Sequence, residues 1–117
     1  MPSQPESGKP TAVRCIVTTF SKEEEATAIV RTLVLEHRVA CGTLLRGPRS
    51  IYVWKGNLED SEEIMVVLKT TVDAAPAAVA RLKELHPYEV PEILVHTPEF
   101  ADDAYARWIK NACGGGS

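Results

Sequence analysis

From Ser50 to Val72 the chain alternates residues that are apolar at both parities: Ile51 and Val53 with Tyr52 and Trp54, then Ile64, Val66 and Leu68 with Met65 and Val67. Strand side chains point to opposite faces with a period of two, so a hairpin with this pattern has no face suited to water. Gly56-Asn57 supplies the turn between the two runs. Helices can cover one face of such a sheet, but the other needs a cover too. A chain of 117 residues, 44% hydrophobic and 25% charged, builds one domain with a modest core, so the cheapest second cover is another copy of itself. The alternative is that a helix of the same chain covers that face.

The flanking segments fix the architecture. Ala12 to Thr19 (AVRCIVTT) is β-branched and apolar, as in a strand covered on both faces. Ser21 and Glu24 stand in capping-box spacing before Ala26, Ile29, Val30, Leu33 and Val34, which predicts an amphipathic helix to about His37. Val39 to Leu45 and Ser50 to Trp54 read as one long strand kinked at Gly47-Pro48. Glu62 to Val72 is its hairpin partner, and Asp73 is the expected cap of a second helix that stops before Pro87. Glu92 to Thr97, bracketed by Pro91 and Pro98, is a last strand, and Tyr105, Trp108, Ile109 and Ala112 repeat with helical spacing.

The order is therefore β-α-β-β-α-β-α. This is the ferredoxin-like split βαβ arrangement with an extra C-terminal helix: an α+β fold with one antiparallel sheet and helices over one face. Residues 11–113 form the domain. Residues 1–10, with three prolines, two serines and a glycine, and the closing GGGS of 114–117 read as flexible tails.

Composition excludes several functions. A net charge of −3 gives no footprint for nucleic acid. No apolar run approaches the roughly 20 residues a membrane helix needs, and none near Met1 resembles a signal peptide. Cys15, Cys41 and Cys113 are odd in number and contain no C-x-x-C, which points to a reducing cytoplasm rather than a disulfide scaffold. No P-loop, G-x-G-x-x-G or nucleophile-base pair stands out, so the chain is read as a non-enzyme.

The densest polar segment is His86-Pro87-Tyr88-Glu89-Val90-Pro91-Glu92. Two prolines hold an imidazole and two carboxylates close together, a ligand set suited to copper or zinc at His86, Glu89 and Glu92. Lys69, in an apolar strand, is a candidate for a cleft near the acidic residues Glu59, Asp60, Glu62 and Glu63, which themselves read as a solvated hairpin edge.

Val39-Ala40-Cys41, Tyr52-x-Trp54-x-Gly56, Leu68-Lys69-Thr70, His86-Pro87-Tyr88-Glu89-x-Pro91-Glu92 and Tyr105-x-x-Trp108-Ile109 together resemble the CutA family of divalent-cation tolerance proteins, over about Val13 to Ala112. The resemblance implies a homotrimer with inter-subunit clefts, like the PII signalling proteins. It also implies copper ligation through a first-strand cysteine and histidines of the HPY segment. Here the cysteine position falls on Thr18, Cys15 lies three residues earlier, and Leu85 stands where a second histidine would precede Pro87. Trp54, Lys69 and Tyr88 are the expected cleft residues. Two other roles stay open: a PII-like sensor of a small metabolite anion, and a trimeric scaffold.

Overall fold

A computed structural model describes residues 11–114. The tails expected at 1–10 and 115–117 lie outside the described residues, while Gly114 donates its N–H to Asn111 O (3.3 Å) and so belongs to the folded unit. The elements are β1 (Val13–Phe20), α1 (Glu23–Leu35), β2 (Cys41–Trp54), β3 (Asn57–Thr71), α2 (Ala75–Leu85), β4 (Leu94–His96) and α3 (Asp103–Ala112). All ladders are antiparallel and the sheet order is β2-β3-β1-β4, the expected ferredoxin-like topology.

Register assigns the two faces. Ile16, Thr18 and Phe20 of β1 oppose Leu68, Val66 and Ile64 of β3, and this face meets α1 and α2 through Ala26, Val30, Leu33, Ala78 and Leu82. Gly42 lies on the same face. A Cβ there would come 2.7 Å from Val30 Cγ1 and 2.9 Å from Leu68 Cδ2, so the close approach of α1 to β2 depends on its absence.

The other face carries Cys15, Val17 and Thr19 opposite Lys69, Val67 and Met65, continued by Cys41, Thr43 and Leu45 of β2. α3 covers only one end of it, where Ile109 packs on Val13 and Ala40, and leaves Leu45 and Leu94 42% and 50% exposed.

β2 and β3 form a long hairpin with one irregularity. Arg46 pairs with Ile64 and Arg49 with Glu62, so two residues, Gly47 and Pro48, oppose Glu63 alone. Gly47 has φ +105°, a conformation glycine adopts without a Cβ penalty. Beyond this bulge Arg49 grips Asp60 through two hydrogen bonds of 2.6 and 2.8 Å, which hold the carboxyl of Asp60 below its ordinary range.

The helix starts differ from expectation. Ser21 does not cap α1: the N-cap is Lys22, in extended backbone with no side-chain cap, and the negative charges of Glu23, Glu24 and Glu25 face the helix dipole instead. α2 is preceded by Ala74 rather than Asp73, and Thr71 Oγ1 accepts the Ala74 N–H at 3.0 Å. α1 ends at Leu35, since His37 turns left-handed (φ 60°). β4 spans three residues where six were expected.

The segment after α2 is anchored by His86, which is 7% exposed and stacks on Phe20 with ring centroids 4.3 Å apart. Thr19 O can only accept and the Tyr88 N–H can only donate. Nε2 therefore carries the proton toward Thr19 O (2.8 Å), and Nδ1 receives the Tyr88 N–H (3.1 Å). Burial pushes the imidazole below its ordinary 6.5, partly offset by the bond to Thr19 and by Glu25 and Glu63.

Two outcomes are expected. Gly42→Ala forces a methyl against Val30 and Leu68 and costs about 1–3 kcal/mol, measurable by urea unfolding at fixed protein concentration. Because the folded imidazole binds its proton less readily than the unfolded one, stability contributed by neutral His86 is present above pH 6.5 and falls as pH drops below it. Melting curves from pH 7.5 to pH 5 (about one unit above to below the ordinary value, and above the range where carboxylates titrate) should show this loss, and His86→Gln should flatten it.

Candidate functional site

The bulge sets up the site by exchanging faces. Before it, even-numbered β2 residues share the helix side; after it, Ser50, Tyr52 and Trp54 pair with Ser61, Glu59 and Asn57 and lie on the face that carries Thr19 and Glu63. Here they border a cavity of about 730 Å³ closed on its other side by Tyr88, Glu89, Val90 and Glu92. Pro87 and Pro91 stiffen that segment, and the His86 anchor fixes where it starts.

Glu63 is the least expected member. It is 5% exposed, and Tyr88 Oη donates a 3.0 Å hydrogen bond to Glu63 Oε2. The Tyr88 phenol is pushed up to about 12, chiefly by burial and further by Glu63, so it remains a donor at any physiological pH. Thr19, Ser21, Ser50 and Ser61 add hydroxyls to the wall. Ser21 thus faces the cavity instead of capping α1.

Among the described residues the lining contains three carboxylates, Glu63, Glu89 and Glu92, and no lysine, arginine or histidine. At its rim Lys55 Nζ lies 5.6 Å from the centroid of the Trp54 ring and 3.6 Å from Glu89 Oε1. The chemistry is that of a receptor for positive charge: carboxylates to neutralise it, hydroxyls to accept N–H or coordinate a hard cation, and an aromatic face for a cation–π contact.

The sequence-derived residues divide. Trp54, Tyr88, Glu89 and Glu92 meet around this cavity. His86 does not line it. With both ring nitrogens bound inside the fold, it has no lone pair to offer copper or zinc without breaking a buried hydrogen bond, so the set His86, Glu89, Glu92 does not fit a resident metal centre. Among the described residues no three His, Cys, Asp or Glu side chains gather around one point.

Lys69 also stands elsewhere. It shares the face but lies six residues along β3 from Glu63, about 20 Å at 3.3 Å per residue. Its Nζ donates to Thr43 Oγ1 (2.6 Å), and its cross-strand neighbours are Cys15 and Cys41. Cys41 is half-buried, with its sulfur 3.8 Å from Tyr105 Oη. Glu63 was hidden in the sequence by its acidic neighbours; its only distinguishing mark is that it stands opposite Gly47-Pro48.

Among the described residues no helix is long and apolar enough to cross a membrane.

Comparison with known proteins places the whole arrangement. The family described as CutA1 divalent ion tolerance protein matches residues 14–112. A divalent-cation tolerance protein CutA from Pyrococcus horikoshii is 37% identical over 94 residues, covering 80% of this chain and 91% of the relative. The crystal structure of CutA from Xylella fastidiosa superposes with a TM-score of 0.85 at 35% identity, covering 89% of this chain and all of the other (100%). CutA1 from Ehrlichia chaffeensis gives the same TM-score, 0.85, at 27% identity, covering 89% of this chain and 97% of that one. With its ferredoxin-like sheet, its extra C-terminal helix and a match that spans nearly every described residue, this chain belongs to the CutA family of divalent-ion tolerance proteins.

Proposed function

We propose that this chain is a non-enzymatic, trimeric protein of divalent-cation tolerance that works in the cytoplasm, taking up cations weakly and exchangeably in the acidic cavity. The observation that carries this reading is buried Glu63, held by Tyr88 and facing a cavity whose charged lining groups, among the described residues, are all carboxylates. Oxygen donors favour hard or borderline divalent ions, and a site without three convergent protein ligands holds them through retained water rather than by encirclement.

Assembly is supported by apolar surface that one chain leaves open. Ile51, Val53 and Leu58 at the hairpin tip are 64%, 68% and 72% exposed, in addition to Leu45 and Leu94 on the uncovered face. The cytoplasmic placement is supported by three free, half-buried thiols at Cys15, Cys41 and Cys113. A metabolite anion, by contrast, finds no positive group in the cavity lining, and Lys69 lies too far along β3 to supply one.

Sedimentation equilibrium should return three times the chain mass, and replacing Val53 and Leu58 by aspartate should lower it toward a monomer; a monomeric wild type removes the trimer. Calorimetric titration of manganese, zinc and copper ions into the wild-type protein should show weak binding that Glu63→Gln reduces and Lys69→Ala, a change outside the cavity lining, leaves in place. Isotherms unchanged by Glu63→Gln overturn the cavity as the cation site. Absence of any binding favours a scaffold role.

A further inference from the structure

The carboxylates of the cavity are arranged for something longer than an ion. Glu63 sits at its floor, while Glu89 and Glu92 stand on the proline-stiffened wall, exposed to solvent. Among the described residues no three metal-ligating side chains, these carboxylates included, gather around a single point. A lone metal ion therefore cannot meet all three carboxylates at once, whereas a flexible chain with separated positive charges can.

The aromatic wall points the same way. The protein's own Lys55 already shows an alkylammonium between the Trp54 ring and Glu89, at 5.6 Å and 3.6 Å. This is the contact pattern an alkylamine makes: charge on the ring face and on a carboxylate, with methylenes lying on apolar surface. Tyr52 continues that surface from Trp54 toward Glu63. Glu63 is fixed by the Tyr88 hydroxyl on one oxygen, which leaves its other oxygen to accept from a donor in the cavity, with the hydroxyls of Ser50 and Ser61 beside it. The volume, about 730 Å³, is in the range of small-molecule sites and far beyond what a hydrated ion requires.

From this we infer that the cavity binds a linear organic polycation of the di- or polyamine class, one ammonium at Glu63 and another at the Trp54 and Glu89 rim, in place of the exposed Lys55 ammonium. The inference rests on the reading of this cavity as the cation site and names the class of cation. Its specificity comes from charge spacing: a monoamine satisfies one end only, and a neutral diol satisfies neither.

The test is isothermal titration of the full chain, in its native oligomeric state and at physiological ionic strength, with spermidine, putrescine, butylamine and butanediol. Spermidine should bind tightest, putrescine next, butylamine weakly and butanediol not at all. Glu63→Gln and Trp54→Ala should each weaken spermidine about tenfold or more, as expected for loss of a hydrogen bond to a charged group or of a desolvated cation–π contact. Glu92→Gln, on the exposed rim, keeps the fold and should weaken it less; it serves as the second variant if Glu63→Gln fails to fold. Spermidine affinity that is the same in wild type and in all three variants, or no better than butylamine, overturns the inference. Divalent cations that bind through Glu63 while spermidine does not would sink the polyamine assignment and leave the cavity as a metal-ion site; failure of both classes removes the cavity reading as well.

Discussion

One surplus residue in β2 decides which side of the sheet carries chemistry. Arg46 and Ile64 are paired, as are Arg49 and Glu62, with Gly47 and Pro48 set against Glu63 alone. Were these same residues paired in a regular ladder with no bulge, the strand would keep its parity, and Tyr52 and Trp54 would lie on the side of Val66 and Leu68 while Ile51 and Val53 turned toward Thr19. The bulge reverses this. It brings both aromatic rings to the face where Glu63 lies, and turns the aliphatic residues of the hairpin tip outward, where Ile51 and Val53 stay exposed. The glycine permits the local backbone, and the proline cannot donate to a ladder that is interrupted there anyway.

The opposite wall depends on a relay of hydrogen bonds that starts in the core. Phe20 stacks on His86, whose two nitrogens hold the Thr19 carbonyl and the Tyr88 amide; the Tyr88 hydroxyl then holds Glu63. Each link fixes the next, so a buried imidazole on the helix side sets the position of a carboxylate on the cavity side. The same occupancy explains why this histidine, conspicuous beside Glu89 and Glu92 in the sequence, serves as an anchor. A group that satisfies two buried partners cannot also turn to a ligand without leaving both unpaired.

Much of this was readable from residue pattern. Periods of two and of 3.6 predicted every element and their order along the chain, and the kink at Gly47-Pro48 was visible because neither residue suits the centre of a ladder. Tyr88, Trp54, Glu89 and Glu92 stood out by motif and do meet in space. What pattern could not show was any choice made by distant contacts. Ser21 fits a capping box but lines the cavity, and Asp73 fits an N-cap but Thr71 closes the turn. Glu63 looks like one more solvated charge until Tyr88, 25 residues later in the chain, covers it. Lys69 was placed near the acidic residues because strand register, which seats it between Cys15 and Cys41, is invisible in a single segment.

Burial also ranks the carboxylates. Two unit charges about 4 Å apart attract by about 1 kcal/mol in bulk water but about 4 kcal/mol where the surroundings behave as a medium of dielectric constant near 20. Glu89 and Glu92 are exposed and Glu89 already faces Lys55, so in the proposed cation site their part is to raise the local concentration of cations at the rim, an effect that salt screens. Glu63 is almost wholly removed from solvent, and its charge is screened less. In the proposed cation site, affinity therefore follows the one carboxylate that composition made least conspicuous, and the rim carboxylates govern how fast a cation arrives. A site built in this way discriminates by whether a ligand's positive group can shed its water and reach the floor, which an ammonium on a flexible stem does at lower cost than a small, strongly hydrated ion.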